Sequence, residues 1–75
     1  MNTLGIDAPT KSVSKLVNTL KRLKTTQTVV DGGAYREDPR ISQVLIDTTW
    51  TEAQLEDWLY RTKGIDYIGT FTRRV

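Results

Sequence analysis

Carboxylates are the groups best suited to chemistry in this chain, because it holds neither histidine nor cysteine. Without histidine, the usual acid/base group at neutral pH is missing, and so are the Ser-His and Cys-His nucleophile systems. Without cysteine there is no disulfide framework and no thiolate zinc site. Asp31, Glu37 and Asp38 crowd one short stretch, and clustered acids can hold a divalent cation or share a proton. Their spacing matches no calcium or magnesium loop, and Gly32-Gly33 alone falls short of a phosphate-cradling loop. Serines and threonines are numerous, yet none sits in a nucleophile elbow. The residues therefore point to a non-enzyme with no catalytic residue, no metal and no cofactor.

Asp7 and Asp47 each follow an isoleucine and precede a helical pattern. Both are expected to cap helices, at opposite ends of a sheet, and not to form a carboxylate pair.

Positive charge offers different chemistry. The net charge is only +2, but Lys11, Lys15, Lys21, Arg22 and Lys24 fall in a stretch without acids, and Arg73 and Arg74 precede the last residue. Such a patch can neutralise phosphates, which makes nucleic acid the alternative partner. The competing description is a solvated helix face.

All six aromatic residues come after residue 34: Tyr35, Trp50, Trp58, Tyr60, Tyr67 and Phe71. Trp58 reads as core. Trp50, Tyr35, Tyr67 and Phe71 read as surface anchors for a protein partner, because Trp, Tyr and Arg dominate interface hot spots. Tyr67 and Phe71 share strand parity and could form an apolar strip on an open sheet face. RNA-recognition modules stack bases on such a face, but they need aromatics on the central strands. The stretch Ile41 to Asp47 has none.

The elements that position these residues follow from periodicity. Val13, Leu16, Val17, Leu20 and Leu23 make one apolar stripe, predicting a helix from Lys11 to about Lys24 with Asp7, Thr10 or Ser12 as its cap. A second helix is predicted from about Thr51 to Lys63. Thr49 and Glu52, or Thr51 and Gln54, have capping-box spacing, and Gly64 suits its end. Thr25 to Val30 and Ile41 to Thr48 read as strands, the latter central, with a turn or bulge at Asp31 to Gly33. Ile65 to Arg73 reads as a last strand. A short opening strand, Thr3 to Asp7, rests on the likeness of Leu4-Gly5-Ile6-Asp7 to Leu45-Ile46-Asp47.

This order, βαββαβ, is the α+β, ferredoxin-like split βαβ arrangement, with two helices on one face of a four-stranded antiparallel sheet. A chain of 75 residues builds one core, so residues 1–75 are expected to form a single domain. No apolar run is long enough to span a bilayer, and the N-terminal stretch lacks a signal peptide's apolar region. A cytoplasmic setting without membrane contact is expected. The functional expectation is a small protein-binding module, a regulator or inhibitor of the kind phages and mobile elements encode, with a homodimer as an option.

Overall fold

The computed structural model describes residues 2–23, 26–34 and 37–73. The first strand, β1 (Asn2–Pro9), alternates: Leu4, Ile6 and Ala8 are buried on one face. A short 3-10 turn, Thr10–Ser12, leads into α1 (Val13–Leu20), which buries Leu16, Val17 and Leu20. Next come β2 (Thr26–Ala34) and β3 (Ile41–Thr48), then α2 (Glu52–Arg61) and β4 (Gly69–Thr72). In β3 the period of two is strict, with Ser42, Val44, Ile46 and Thr48 buried and their neighbours half-buried.

The strands join in the order β2-β3-β1-β4, all neighbours antiparallel. Both helices cover the same face, where the core gathers Leu4, Ile6, Ala8, Val44 and Ile46 from the sheet, and Leu16, Val17, Leu20, Leu55 and Leu59 from the helices. α1 lies toward β2 and β3, and α2 toward β4. The register brings the start of β1, the end of β3 and the end of β4 to one end of the sheet. That end also carries the C-terminus of α1 and the N-terminus of α2.

The expected four-stranded sheet with a short first strand needs correction. The opening strand is not short: β1 has eight residues and pairs with β3 along its whole length. The body of the sheet is three long strands, β2-β3-β1. β4 has four residues and meets only Leu4 to Asp7 of β1. The cause lies in Ile65 to Ile68, expected to be strand. Ile65 and Tyr67 are drawn against the core, so this segment packs instead of pairing, and the ladder opens with Ile68 N–H donating to the Asp7 carbonyl at 2.6 Å.

The first helix is shorter than its apolar stripe. After Leu20 the chain tightens, with Arg22 N–H donating to Thr19 and Leu23 N–H to Leu20, and Lys24 lies outside the described residues. The expected caps also fail. Asp7 is inside β1, and Ser12 stands at the N-cap without a side-chain capping bond. Its hydroxyl donates to Asp66 instead, at 3.2 Å. Thr10 donates to the Pro39 carbonyl at 2.7 Å, leaving its oxygen to accept from the buried Ser42 hydroxyl at 2.8 Å.

Candidate functional site

The best-built surface feature begins at the turn between β3 and α2. Thr48 is fully buried, and its hydroxyl accepts the Trp50 N–H at 3.1 Å. The Asn2 amide donates to the Trp50 carbonyl at 2.7 Å. Both backbone polar groups of Trp50 are thereby held. The next residue, Thr51, caps α2: its hydroxyl accepts the Gln54 N–H while the Gln54 side chain accepts the Thr51 N–H at 2.9 Å. Of the two boxes readable in the sequence, the chain uses the second.

Past this cap, Gln54, Asp57, Trp58 and Arg61 follow at i, i+3, i+4 and i+7, one stripe along α2. Trp50 closes the stripe at its N-terminal end. The two indoles lie 6.0 Å apart between ring centroids, tilted by 54°, a favourable aromatic geometry. Both rings are half-buried and rest against the core. Together the five residues line a shallow hollow of ≈ 320 Å³. On the opposite side of α2, Glu52 accepts from Thr70 and Thr72 of β4, so the helix is anchored on one side and open on the other. Asp57 and Arg61 form an exposed ion pair at 3.3 Å on the rim.

A larger hollow, ≈ 410 Å³, is lined by Pro9, Thr10, Lys11 and Arg40. Two of its polar side chains are already engaged. The Thr10 hydroxyl is bonded as above, and Arg40 holds Asp38 at 3.0 Å. The Arg40 side chain, then its backbone N–H, keep the half-buried Asp38 carboxyl below its ordinary range, and Asp38 raises Arg40 in return. Among the described residues, that hollow has no aromatic wall.

The other sequence-selected residues scatter. Phe71 stands opposite Gly5 on the face away from the helices, where Leu45 also lies opposite Gly5 on the other side. Tyr67 does not join it, because it packs toward the core from a non-strand segment. The strip expected from these two aromatics is therefore not formed. Tyr35 lies outside the described residues.

The basic residues are divided. Lys11 and Lys15 belong to the end of the sheet where α1 begins, with the Lys15 amine against Gly64. Lys21 and Arg22 follow the opposite end of α1, on the β2 side of the molecule. Arg73 follows β4 at the far edge, its N–H donating to the Thr3 carbonyl. Lys21, Arg22 and Arg73 thus fall at one end of the sheet and Lys11 and Lys15 at the other, while Lys24 and Arg74 are outside the described residues.

The aspartates of the two Ile-Asp pairs are also apart. Asp47 accepts from the Thr3 hydroxyl at 2.7 Å. Asp7 pairs with Gln43 in the register, four residues along β1 from Thr3, about 13 Å at the usual strand rise. Among the described residues, no three His, Cys, Asp or Glu side chains gather as a metal-binding group.

Sequence reasoning singled out Trp50 alone from this hollow. It missed Gln54, Asp57, Trp58 and Arg61, although their helical spacing was visible, because Trp58 was counted entirely to the core. No helix among the described residues is long and apolar enough to cross a membrane. No protein-family model, curated protein or solved structure matches this chain.

Proposed function

We propose that this chain is a small non-enzymatic module that binds another protein through the hollow walled by Trp50 and Trp58, and thereby regulates or inhibits it. One observation carries the reading: two half-exposed indoles are held in contact at the mouth of a bonded, capped turn. Aromatic anchors cost little conformational entropy when their geometry is already set, which is what a binding hot spot needs. The backing core and the capping box provide that rigidity.

Nucleic acid is supported less well, since the described cations are divided between the two ends of the sheet. A second copy adding at the β2 edge is also disfavoured. β2 has two register shifts, between Thr26 and Thr28 and between Asp31 and Gly33, and such irregularities blunt an edge against pairing. A cytoplasmic setting belongs to this reading, since a chain without cysteine gains no disulfide from an oxidising compartment.

The test is affinity capture of stoichiometric protein partners with the wild-type chain and with Trp50→Ala, both checked for fold by circular dichroism. Loss of the partner on substitution is expected. Nuclease-sensitive recovery of nucleic acid alone, with binding that weakens steeply as salt rises, would replace this reading with the other.

A further inference from the structure

We infer that the occupant of the Trp50 and Trp58 hollow is an arginine side chain from the partner, stacked on an indole face and paired with Asp57 in place of Arg61. This rests on the protein-binding reading above and specifies what the hollow recognises.

Three observations lead to it. The first is the wall: tryptophan is the best aromatic partner for a cation, and arginine the commonest cation in such pairs. The indoles touch each other at 6.0 Å between centroids, so a cation cannot enter between them and must stack on an outward face, as a planar guanidinium does.

The second is charge. α2 carries Glu52, Glu56 and Asp57 against Arg61 alone. Glu52 is turned to β4, while Glu56 and Asp57 are exposed. Asp57 is the acid that lines the hollow, and once Arg61 is displaced its charge complements a basic ligand and not an acidic one.

The third is Arg61 itself. Arg61 is one of the residues lining the hollow, its Nε lies 3.3 Å from Asp57, and the two side chains are 76% and 58% exposed. Asp57 therefore already pairs with a guanidinium beside the indoles, and an ion pair so exposed is weak enough to exchange. Arg61 acts as an internal placeholder that a partner's arginine displaces.

Displacement of Arg61 fixes the direction of each expected effect. Blocked pentapeptides with a central arginine, citrulline or glutamate, flanked by glycine and serine, are titrated into the isotope-labelled chain while the two indole N–H resonances are followed. The arginine peptide should shift both resonances, and citrulline, equal in shape but uncharged, should bind about five-fold more weakly. Asp57→Asn should weaken the arginine peptide about three-fold, and Arg61→Gln should tighten it about two-fold by removing the competing cation.

Equal weakening by Asp57→Asn and Arg61→Gln would overturn the inference, as would a preference for glutamate. Indole shifts of the same size from all three peptides would remove the arginine specificity yet keep a protein-binding hollow. No shift from any peptide would contradict both readings.

Discussion

The ring of Phe71 occupies the space where a Cβ on Gly5 would stand. These residues face each other across β1 and β4, so the fourth strand is seated by an aromatic ring whose far end lies over a glycine. The ring covers backbone that would otherwise be open on the helix-free face, and Gly5 is buried as a result. Space, not backbone conformation, demands the glycine, since its φ is not in the left-handed region.

Gly5→Ala should therefore destabilise the fold by about 1–3 kcal/mol through overpacking. Adding Phe71→Leu to the same chain should recover part of that loss. Chemical denaturation of the single and double variants measures both, and additive losses would contradict the contact.

β4 has a second tie, from Glu52 at the start of α2. Its carboxylate accepts from Thr70 and Thr72 at 3.5 and 3.2 Å and sits where the helix dipole favours an acid. Glu52→Ala should cost about 1 kcal/mol, and amide exchange should quicken at Thr70 to Thr72 before it does in β3. Uniform quickening across the sheet would count against a local tie.

Asp38 gives a pH dependence with a named cause. Its carboxyl is held low by the side-chain hydrogen bond from Arg40, then by the Arg40 backbone N–H. A folded pKa below the unfolded value, about 3.9, means the contribution is present above that value and is lost as pH falls through the folded one. The pair is exposed, so the effect is small. Asp38→Asn should lower the melting temperature slightly at pH 6, and the gap to wild type should narrow progressively as pH falls below about 3.9. A gap that does not narrow at all as the pH is lowered would show that the substitution disturbs the turn by another route.

Much of this architecture was readable from residue order. β3 runs from Ile41 to Thr48 as its pattern requires, and it is central because Val44, Leu45 and Ile46 suit burial. Thr51 and Gln54 mark the start of α2 by spacing alone, and Gly64, a few residues past the helix, adopts φ of 82°. Asp31 to Gly33 holds one of the β2 register shifts. What could not be read locally was decided by tertiary competition. The β1 strand extends through Ala8 and Pro9 because β3 offers a full-length partner. Ile65 and Tyr67 leave the last strand because the core takes them.

The candidate site was half legible for the same reason. Trp50 stood out by its place at a helix entry. Trp58 was hidden, because a tryptophan on the flank of an apolar stripe looks like core until its remaining exposure is known. Asp57 and Arg61 looked like ordinary i, i+4 surface charge. Only the folded helix shows that they share a wall with two indoles.

The central claim is that the paired indoles are the contact surface. Its most direct measurement is quantitative affinity capture, after nuclease treatment, with wild type, Trp50→Ala and Tyr60→Ala. Tyr60 is the exposed control, at 85% exposure and outside the hollow. The account predicts one stoichiometric protein partner retained by wild type and Tyr60→Ala and reduced at least about ten-fold by Trp50→Ala, the loss expected of a hot-spot aromatic. Equal retention by the folded Trp50→Ala variant would contradict it.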